Sequence, residues 1–519
     1  MPLYHLADQC SRHGRSDICR FGAVWCRLAT ILLLSLGWGG DRLAVAEGPA
    51  LAEQASRPPN VLLICIDDLR NQLGYLGESR AQTPALDRFA ETAVGFSRHY
   101  THVPTCGASR AALMRGRYPE VAAHLSNDAI LKTHASWADV SLPAWFRRHG
   151  YQTRSLGKVT HYPGNLAGSN WDAPPEELPA AWDRATIPTG PWPHAEAIMH
   201  GFAAGRARSR GVSPPIEALE GPDSLYPDAW VADGAIETLA DLRATSAPWF
   251  FAVGFFKPHL PFAAPRAWFD RHDPNDFDPP ANAAKPNWPS GWHASGEFRK
   301  NYGHGGRDPD HDEQYARELR RAYAASVSYM DHQLGRLLES LDRSDPEGET
   351  VVMIWGDHGF LLGEHAIWGK HCLYEEALRS PLLIRAPASR RRSDPVDAGR
   401  PPSKDRLCQA VVETIDLFPT LVDLADLPAP EGLSGKSLRP WLEQPDRPSD
   451  RHAIGFWSGG ARTIRDDRWR LIRTAGRRGG EPVIELFDYE NDPGETRNVA
   501  HLHPEIVAAL TAALEPFTW

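Results

Sequence analysis

Two short apolar runs that each end in aspartate constrain this chain more than any other feature. Asn60 to Ile66 runs into Asp67-Asp68, and Val351 to Trp355 runs into Gly356-Asp357-His358-Gly359. Short, mostly apolar runs bounded by turn residues suit strands buried on both faces, the way strands of a parallel sheet are covered. Carboxylates at the C-terminal ends of such strands lie along the edge where open α/β sheets carry their ligands. Between the two runs in sequence stands Cys106-Gly107-Ala108-Ser109-Arg110, an oxidisable cysteine beside an arginine on the expected first turn of a helix. Together these features predict a cation site of hard oxygen ligands built around a nucleophile.

The intervening sequence keeps an α/β rhythm. Thr83-Pro84 opens an amphipathic helix through Ala93. Further helices are predicted over Leu142 to Arg148, Ala229 to Leu242 and Tyr315 to Leu341. In the last of these, Leu319, Tyr323, Val327, Met330, Leu334, Leu337 and Leu341 recur at helical spacing. Trp249 to Phe256 and Pro381 to Arg385 read as further strands. The alternation implies a large, mostly parallel central sheet flanked by helices. Two stretches, Tyr162 to Pro227 and Asp270 to Asp312, break the rhythm and are rich in Pro, Gly, Trp and His. Loops of this length are expected to be ordered covers that wall a substrate, with Trp171, Trp192, Trp288 and Trp292 each read as a packing residue or, in company, as a sugar-stacking surface. Thr463 to Thr474 and Val483 to Tyr489 read as strands of a small antiparallel sheet, followed by a helix from about Pro504 to Leu514. The expected division is a catalytic domain over 58–445 and a C-terminal subdomain over 446–519.

A chain of 519 residues with 42% hydrophobic residues buries a large core and exceeds one ordinary domain. Its formal charge of -10 argues against a nucleic-acid partner, which requires an extended basic surface. At the N-terminus, Arg20 and Arg27 precede the apolar run Leu28 to Trp38, with Ala44-Val45-Ala46 as a cleavage point. This reads as an export signal over 1–46, and its apolar run is short for a membrane span. The expectation is an exported protein, periplasmic or extracellular, with no stable membrane partner. Absence of any Asn-x-Ser/Thr string favours a bacterial source. Of seven cysteines, three fall in the leader, and the remaining four are no disulfide framework for so long a chain. Cys65, inside the first strand, reads as a small buried hydrophobe, and pairing of Cys372 with Cys408 is left open.

With these residues in view, the chain resembles the formylglycine-dependent sulfatases of the alkaline-phosphatase-like fold, and among them most closely the iduronate-2-sulfatase branch. The resemblance runs from Asn60 to about Asn498. It rests on Ile66-Asp67-Asp68, the Cys106 to Arg110 signature continuing to Gly116, Gly157-Lys158-Val159-Thr160-His161, Lys257-Pro258-His259, Gly356 to Gly359 with Gly363-Glu364-His365, and Lys370. Glu485 to Asp488 with Asp492-Pro493 resembles the family's C-terminal subdomain. Ala108 stands where the family more often carries proline.

The resemblance implies that Cys106 is oxidised to formylglycine by a formylglycine-generating enzyme and hydrated to a geminal diol. One hydroxyl then attacks sulfur, and the other collapses to expel sulfate. Asp67, Asp68, Cys106, Asp357 and His358 are implied as ligands of a divalent cation, calcium before magnesium. Arg110 would anchor the hydrated aldehyde, and His161 would take the proton that triggers sulfate release. Lys158 would stand beside them, while His259 and Lys370 would hold sulfate and protonate the departing sugar oxygen, with Lys257 and His371 as optional contacts. The implied substrate is a uronic-acid residue of a sulfated polysaccharide carrying a 2-O-sulfate. Two alternatives stand beside this reading: a phosphoester or phosphonate hydrolase of the same fold, and an unmodified protein that binds sulfated glycans.

Overall fold

The computed structural model describes residues 58–517 apart from 79, 168–174, 189, 391–406 and 477–479, so the export signal and Trp171 lie outside the described residues. Eight strands make the central sheet: β1 (Val61–Ile66), β2 (Val94–Tyr100), β3 (Gln152–Gly157), β4 (Arg184–Thr186), β5 (Trp249–Phe255), β6 (Val351–Gly356), β7 (Leu382–Arg385) and β8 (Leu407–Glu413). Across the sheet they lie in the order β8-β2-β7-β6-β1-β5-β3-β4. β1 pairs in parallel with both β5 and β6, β3 with β5 and β4, and β8 with β2. Only β7 is reversed, antiparallel to both β2 and β6.

β1 is apolar throughout because alternate side chains serve opposite faces of the sheet. Leu62, Ile64 and Ile66 enter one buried cluster, and Val61, Leu63 and Cys65 enter another. The flanking helices are α1 (Pro84–Ala90), α2 (Cys106–Arg115), α3 (Leu142–Arg148), α4 (Pro227–Arg243), α5 (Glu313–Ser344), α6 (Leu417–Leu424) and α7 (Pro504–Leu514). α5 starts at Asp312, whose carboxylate accepts the Tyr315 N–H at 2.9 Å. Its apolar seam from Leu319 to Leu341 is buried with the β1 face that carries Leu62. On the same helix the buried Asp331 accepts the first N–H groups of α1, from Ala85 and Leu86, at 2.9 Å each, so α5 both packs against α1 and caps it.

Four strands of the sheet escape the periodicity reading: β4, three residues long inside the stretch read as a cover, and β2, β3 and β8. In β2, β3 and β8, Ser97 and Arg98, Gln152 and Arg154, and Gln409 interrupt the apolar runs where these strands are only partly covered. The stretch Thr463 to Thr474 is also not one strand. The small sheet has four antiparallel strands in sequence order: β9 (Ala453–Trp457), β10 (Ala461–Arg465), β11 (Trp469–Thr474) and β12 (Val483–Asp488). β10 and β11 fold back on each other because the Asp466 carboxylate accepts the N–H groups of Arg468 at 2.8 Å and Trp469 at 2.6 Å. Cys372 and Cys408 are both free and lie in different buried clusters. Among the described residues no helix is long and apolar enough to cross a membrane.

Glu375 ties the small sheet to the rest of the molecule. Its carboxylate is buried, accepts Tyr100 Oη at 2.9 Å and faces Arg470 at 2.5 Å and Arg465 at 3.7 Å. Burial opposes its charge, but Arg470 and Arg465 overcome that and lower its pKa from 4.5 to about 2. A folded-state pKa below the unfolded one contributes stability that is present above pH 4.5 and lost as pH falls toward 2. Glu375→Gln is therefore expected to cost on the order of 3 kcal/mol at neutral pH. In denaturant titrations the gap from the parent should narrow through that acid window; a gap independent of pH would show that charge is not what Glu375 contributes.

Candidate active site

The strand ends bring the site together. Asp67 and Asp68 leave the C-terminal end of β1, Asp357 and His358 leave β6 beside it, Lys158 and His161 follow β3, and His259 follows β5. Asp68 adopts φ 59°, a left-handed conformation that aspartate tolerates better than most residues. In this conformation its N–H reaches Asp357 Oδ1 at 3.0 Å and its carbonyl accepts Tyr323 Oη at 2.8 Å.

Cys106 is the first residue of α2, and Arg110 follows one turn later on the same face. Gly107 is required next to the cysteine because a Cβ there would lie 2.0 Å from the Asn127 carbonyl oxygen. The helix is locked from below as well: Thr101 donates to Ser109 Oγ at 2.8 Å, and Ser109 donates to the Asp357 carbonyl at 2.5 Å.

Arg110 is fully buried. Its Nε donates to Asp357 Oδ2 at 3.0 Å, its Nη2 to Asp67 Oδ1 at 3.1 Å, and its Nη1 to the carbonyls of Val159, at 3.1 Å, and Lys158. Lys158 donates in turn to Asp67 Oδ2. Cys106 Sγ lies 3.4 Å from Lys370 Nζ, 3.3 Å from His358 Nε2 and 3.8 Å from Asp68 Oδ1. Lys370 also bridges to both oxygens of Asp68, at 2.7 and 3.0 Å.

These charges hold one another. Burial works against the Asp67 carboxylate, yet Lys158 and His259 keep it well below the usual carboxylate range. Burial likewise disfavours the Lys370 ammonium, and Asp68 more than restores it. Desolvation, with Asp67 nearby, pushes the Cys106 thiol well above its ordinary value. Desolvation and the Lys158 cation push His161 well below its own, which leaves a neutral imidazole whose buried Nδ1 has no partner among the described residues.

The donor set fits a hard divalent cation. Asp67, Asp68, Cys106 and His259 offer atoms within 4.8 Å of one another, and so do Cys106, Asp357 and His358. His358 Nδ1 lies 2.9 Å from the Gly359 carbonyl, an acceptor only, so Nδ1 carries the proton and the Nε2 lone pair is turned toward Cys106 Sγ and the carboxylates. That Nε2 lies 3.5 Å from Asp68 Oδ1 and 3.7 Å from Asp357 Oδ1. Three carboxylates with one imidazole suit calcium or magnesium better than a soft metal.

Two expected contacts turn out differently. Lys257 is directed into backbone, donating to the carbonyls of Pro261 at 2.8 Å and of His200 and His259 at 3.3 Å each, so it braces the loop that carries His259. His371 stacks on Trp457, with centroids 5.3 Å apart. The tryptophans of the covers are held as packing residues: Trp192 donates to the Phe202 carbonyl, Trp288 to Glu485 and Trp292 to the His365 carbonyl. One site residue is absent from the sequence reading. Glu297, in the cover over 270–312, lies 3.2 Å from Lys370 Nζ and 3.4 Å from His259 Nε2. Nothing in its spacing marks it, since it opens a five-residue helix (Glu297–Asn301) between loops.

Comparison with known proteins fits this geometry. The sulfatase family profile matches residues 59–427, and the profile of the N-sulphoglucosamine sulphohydrolase C-terminal region matches 363–517. Human iduronate 2-sulfatase is 29% identical over 429 residues, covering 77% of this chain and 74% of that protein. Two solved structures share the fold. One is a protein in complex with its substrate D-glucosamine-2-N,6-O-disulfate, with TM-score 0.64 and 20% identity over 89% of this chain and 97% of that one. The other is a phosphonate monoester hydrolase from Silicibacter pomeroyi, with TM-score 0.65 and 24% identity over 88% and 95%. The large mixed, mostly parallel sheet with its small antiparallel companion is thus the alkaline-phosphatase-like architecture of the sulfatases. A family profile that spans most of the described chain, over strand ends that deliver the acidic, cysteine and lysine residues to one point, leads to one assignment: the chain belongs to the sulfatase family.

Proposed function

We propose that this protein is an exported sulfuric-ester hydrolase that removes 2-O-sulfate from uronic-acid residues of a sulfated polysaccharide, using a formylglycine made from Cys106 by a formylglycine-generating enzyme. The observation that carries the reading is the convergence of Lys370, His358 and Asp68 on Cys106 Sγ. Asp67, Asp68, Asp357, His358 and the residue-106 side chain would hold a divalent cation, calcium before magnesium. Such a cation, together with the aldehyde hydrate at position 106, supplies an activated oxygen nucleophile and offsets charge on the sulfate.

The chain's own groups do the remainder. Arg110 fixes Asp67 and Asp357 relative to α2, so that nucleophile and carboxylates keep their spacing. Lys158 and Lys370 are buried, and ammonium groups fixed in such surroundings stabilise charge that develops on transfer. His161, neutral and with a ring nitrogen that no described residue engages, accepts the proton whose removal releases sulfate. His259 stands near Asp67, Asp68 and Cys106 and donates a proton to the departing sugar oxygen.

Support for the uronate comes from the 29% identity to human iduronate 2-sulfatase, and support for a sulfated sugar more generally from the glucosamine disulfate held by a structural neighbour. A panel of defined sulfated disaccharides and nitrophenyl esters tests the reading. Sulfate esters should be cleaved faster than the matched phosphate esters, with uronate 2-O-sulfates best among the sugars. Faster turnover of aryl phosphate would replace this reading with a phosphoester hydrolase. In the same assays His259→Ala should lose about 10²- to 10⁴-fold on sugar sulfates, the usual worth of a general acid, and less on nitrophenyl sulfate, whose leaving group needs no proton. Equal losses on both would remove the acid role.

A further inference from the structure

Glu297 places a negative charge where an anionic substrate has to bind. Its side chain is 14% exposed, and its Oε1 lies 3.2 Å from Lys370 Nζ and 3.4 Å from His259 Nε2, the two groups assigned to the sulfate and the leaving oxygen. Oε2 is buried and accepts no hydrogen bond from any described residue. A buried carboxylate oxygen left without a donor is costly, and native proteins leave few of them unless a ligand or water completes the site.

An ionised carboxylate is an acceptor only. It cannot hydrogen-bond a sulfate oxygen and repels it, so the group of a bound substrate that serves it is an O–H or N–H away from the sulfate. Position narrows the choice. Oε1 sits beside the ring nitrogen that would face the leaving oxygen, and the group next to that oxygen on a sugar ring is the hydroxyl of the adjacent carbon. We propose that Glu297 is a specificity-determining residue whose free oxygen accepts a hydrogen bond from the hydroxyl vicinal to the sulfate ester. The proposal rests on the sulfatase reading above and extends it: the enzyme distinguishes sugar sulfates with a free neighbouring hydroxyl from those without one.

The test crosses a change in the substrate with a change in the protein. Turnover (kcat/KM) is measured for a uronate 2-O-sulfate and its vicinal deoxy analogue, using the parent enzyme, Glu297→Ala and Glu297→Asp, with nitrophenyl sulfate as reference. Deoxygenation should cost the parent about 10- to 100-fold, the worth of a hydrogen bond to a charged group. It should cost Glu297→Ala nothing further, whatever that variant's overall rate, and Glu297→Asp an intermediate amount. A parent indifferent to the missing hydroxyl, or a penalty of equal size in parent and Glu297→Ala, overturns the proposal while leaving sulfate-ester cleavage standing. A parent that cleaves no sulfate ester at all overturns the underlying reading instead.

Discussion

Replacing Cys106 by alanine is expected to abolish sulfate-ester hydrolysis, by about 10⁴-fold or more, as removal of a covalent nucleophile does elsewhere. The fold should be nearly untouched. Cys106 is buried at the start of α2, its neighbours Gly107 to Arg110 are held by Asn127, Ser109 and the Asp67–Arg110–Asp357 pairing, and only one sulfur atom is deleted. The thermal midpoint of the variant should therefore stay close to the parent's while activity vanishes. The peptide that carries residue 106 offers a second measurement. In protein made beside a competent maturation enzyme it should be about 18 Da lighter than the cysteine form, as exchange of thiol for aldehyde requires. A fully active Cys106→Ala enzyme, or an active parent with its sulfur intact, would end the formylglycine mechanism.

Arg110→Ala should have the largest effect on stability. The guanidinium is fully buried between Asp67 and Asp357, bonds two backbone carbonyls and lies 5.9 Å from the Trp355 ring. Removing one partner of a buried ionic group leaves the other charges uncompensated in a medium that cannot solvate them, at a cost of about 3–5 kcal/mol. Arg110→Lys should recover little, because one ammonium cannot span two carboxylates and two carbonyls as the planar fork does. Urea unfolding of the three proteins tests this. An Arg110→Ala variant as stable as its parent would show that the two aspartates do not depend on the arginine for their charge.

The sequence went furthest where physics is local. The apolar runs from Asn60 and from Val351 announced buried strands because every position had to serve one face or the other, and turn residues marked their ends. Cys106 and Arg110 are four apart, so any helix through them puts both on one side. The seam from Leu319 to Leu341 likewise admits little but a long amphipathic helix. Reading failed where polar residues stand in a strand, as in β2, β3 and β8, since their place in the sheet is set by partners distant in sequence.

By itself, then, the sequence determined the strand ends that carry Asp67, Asp68 and Asp357, and the helix that carries the cysteine, since periodicity and turn chemistry act over a few residues. Neither periodicity nor turn chemistry shows which lysine faces the sulfur; the tertiary structure does. Lys370 reaches it, while Lys257, in an equally suggestive motif, spends its three donors on backbone carbonyls. It also brought Glu297 from an aperiodic cover to the side of His259. Such contacts join residues far apart in the chain, and they exist only once packing has closed the loops between them.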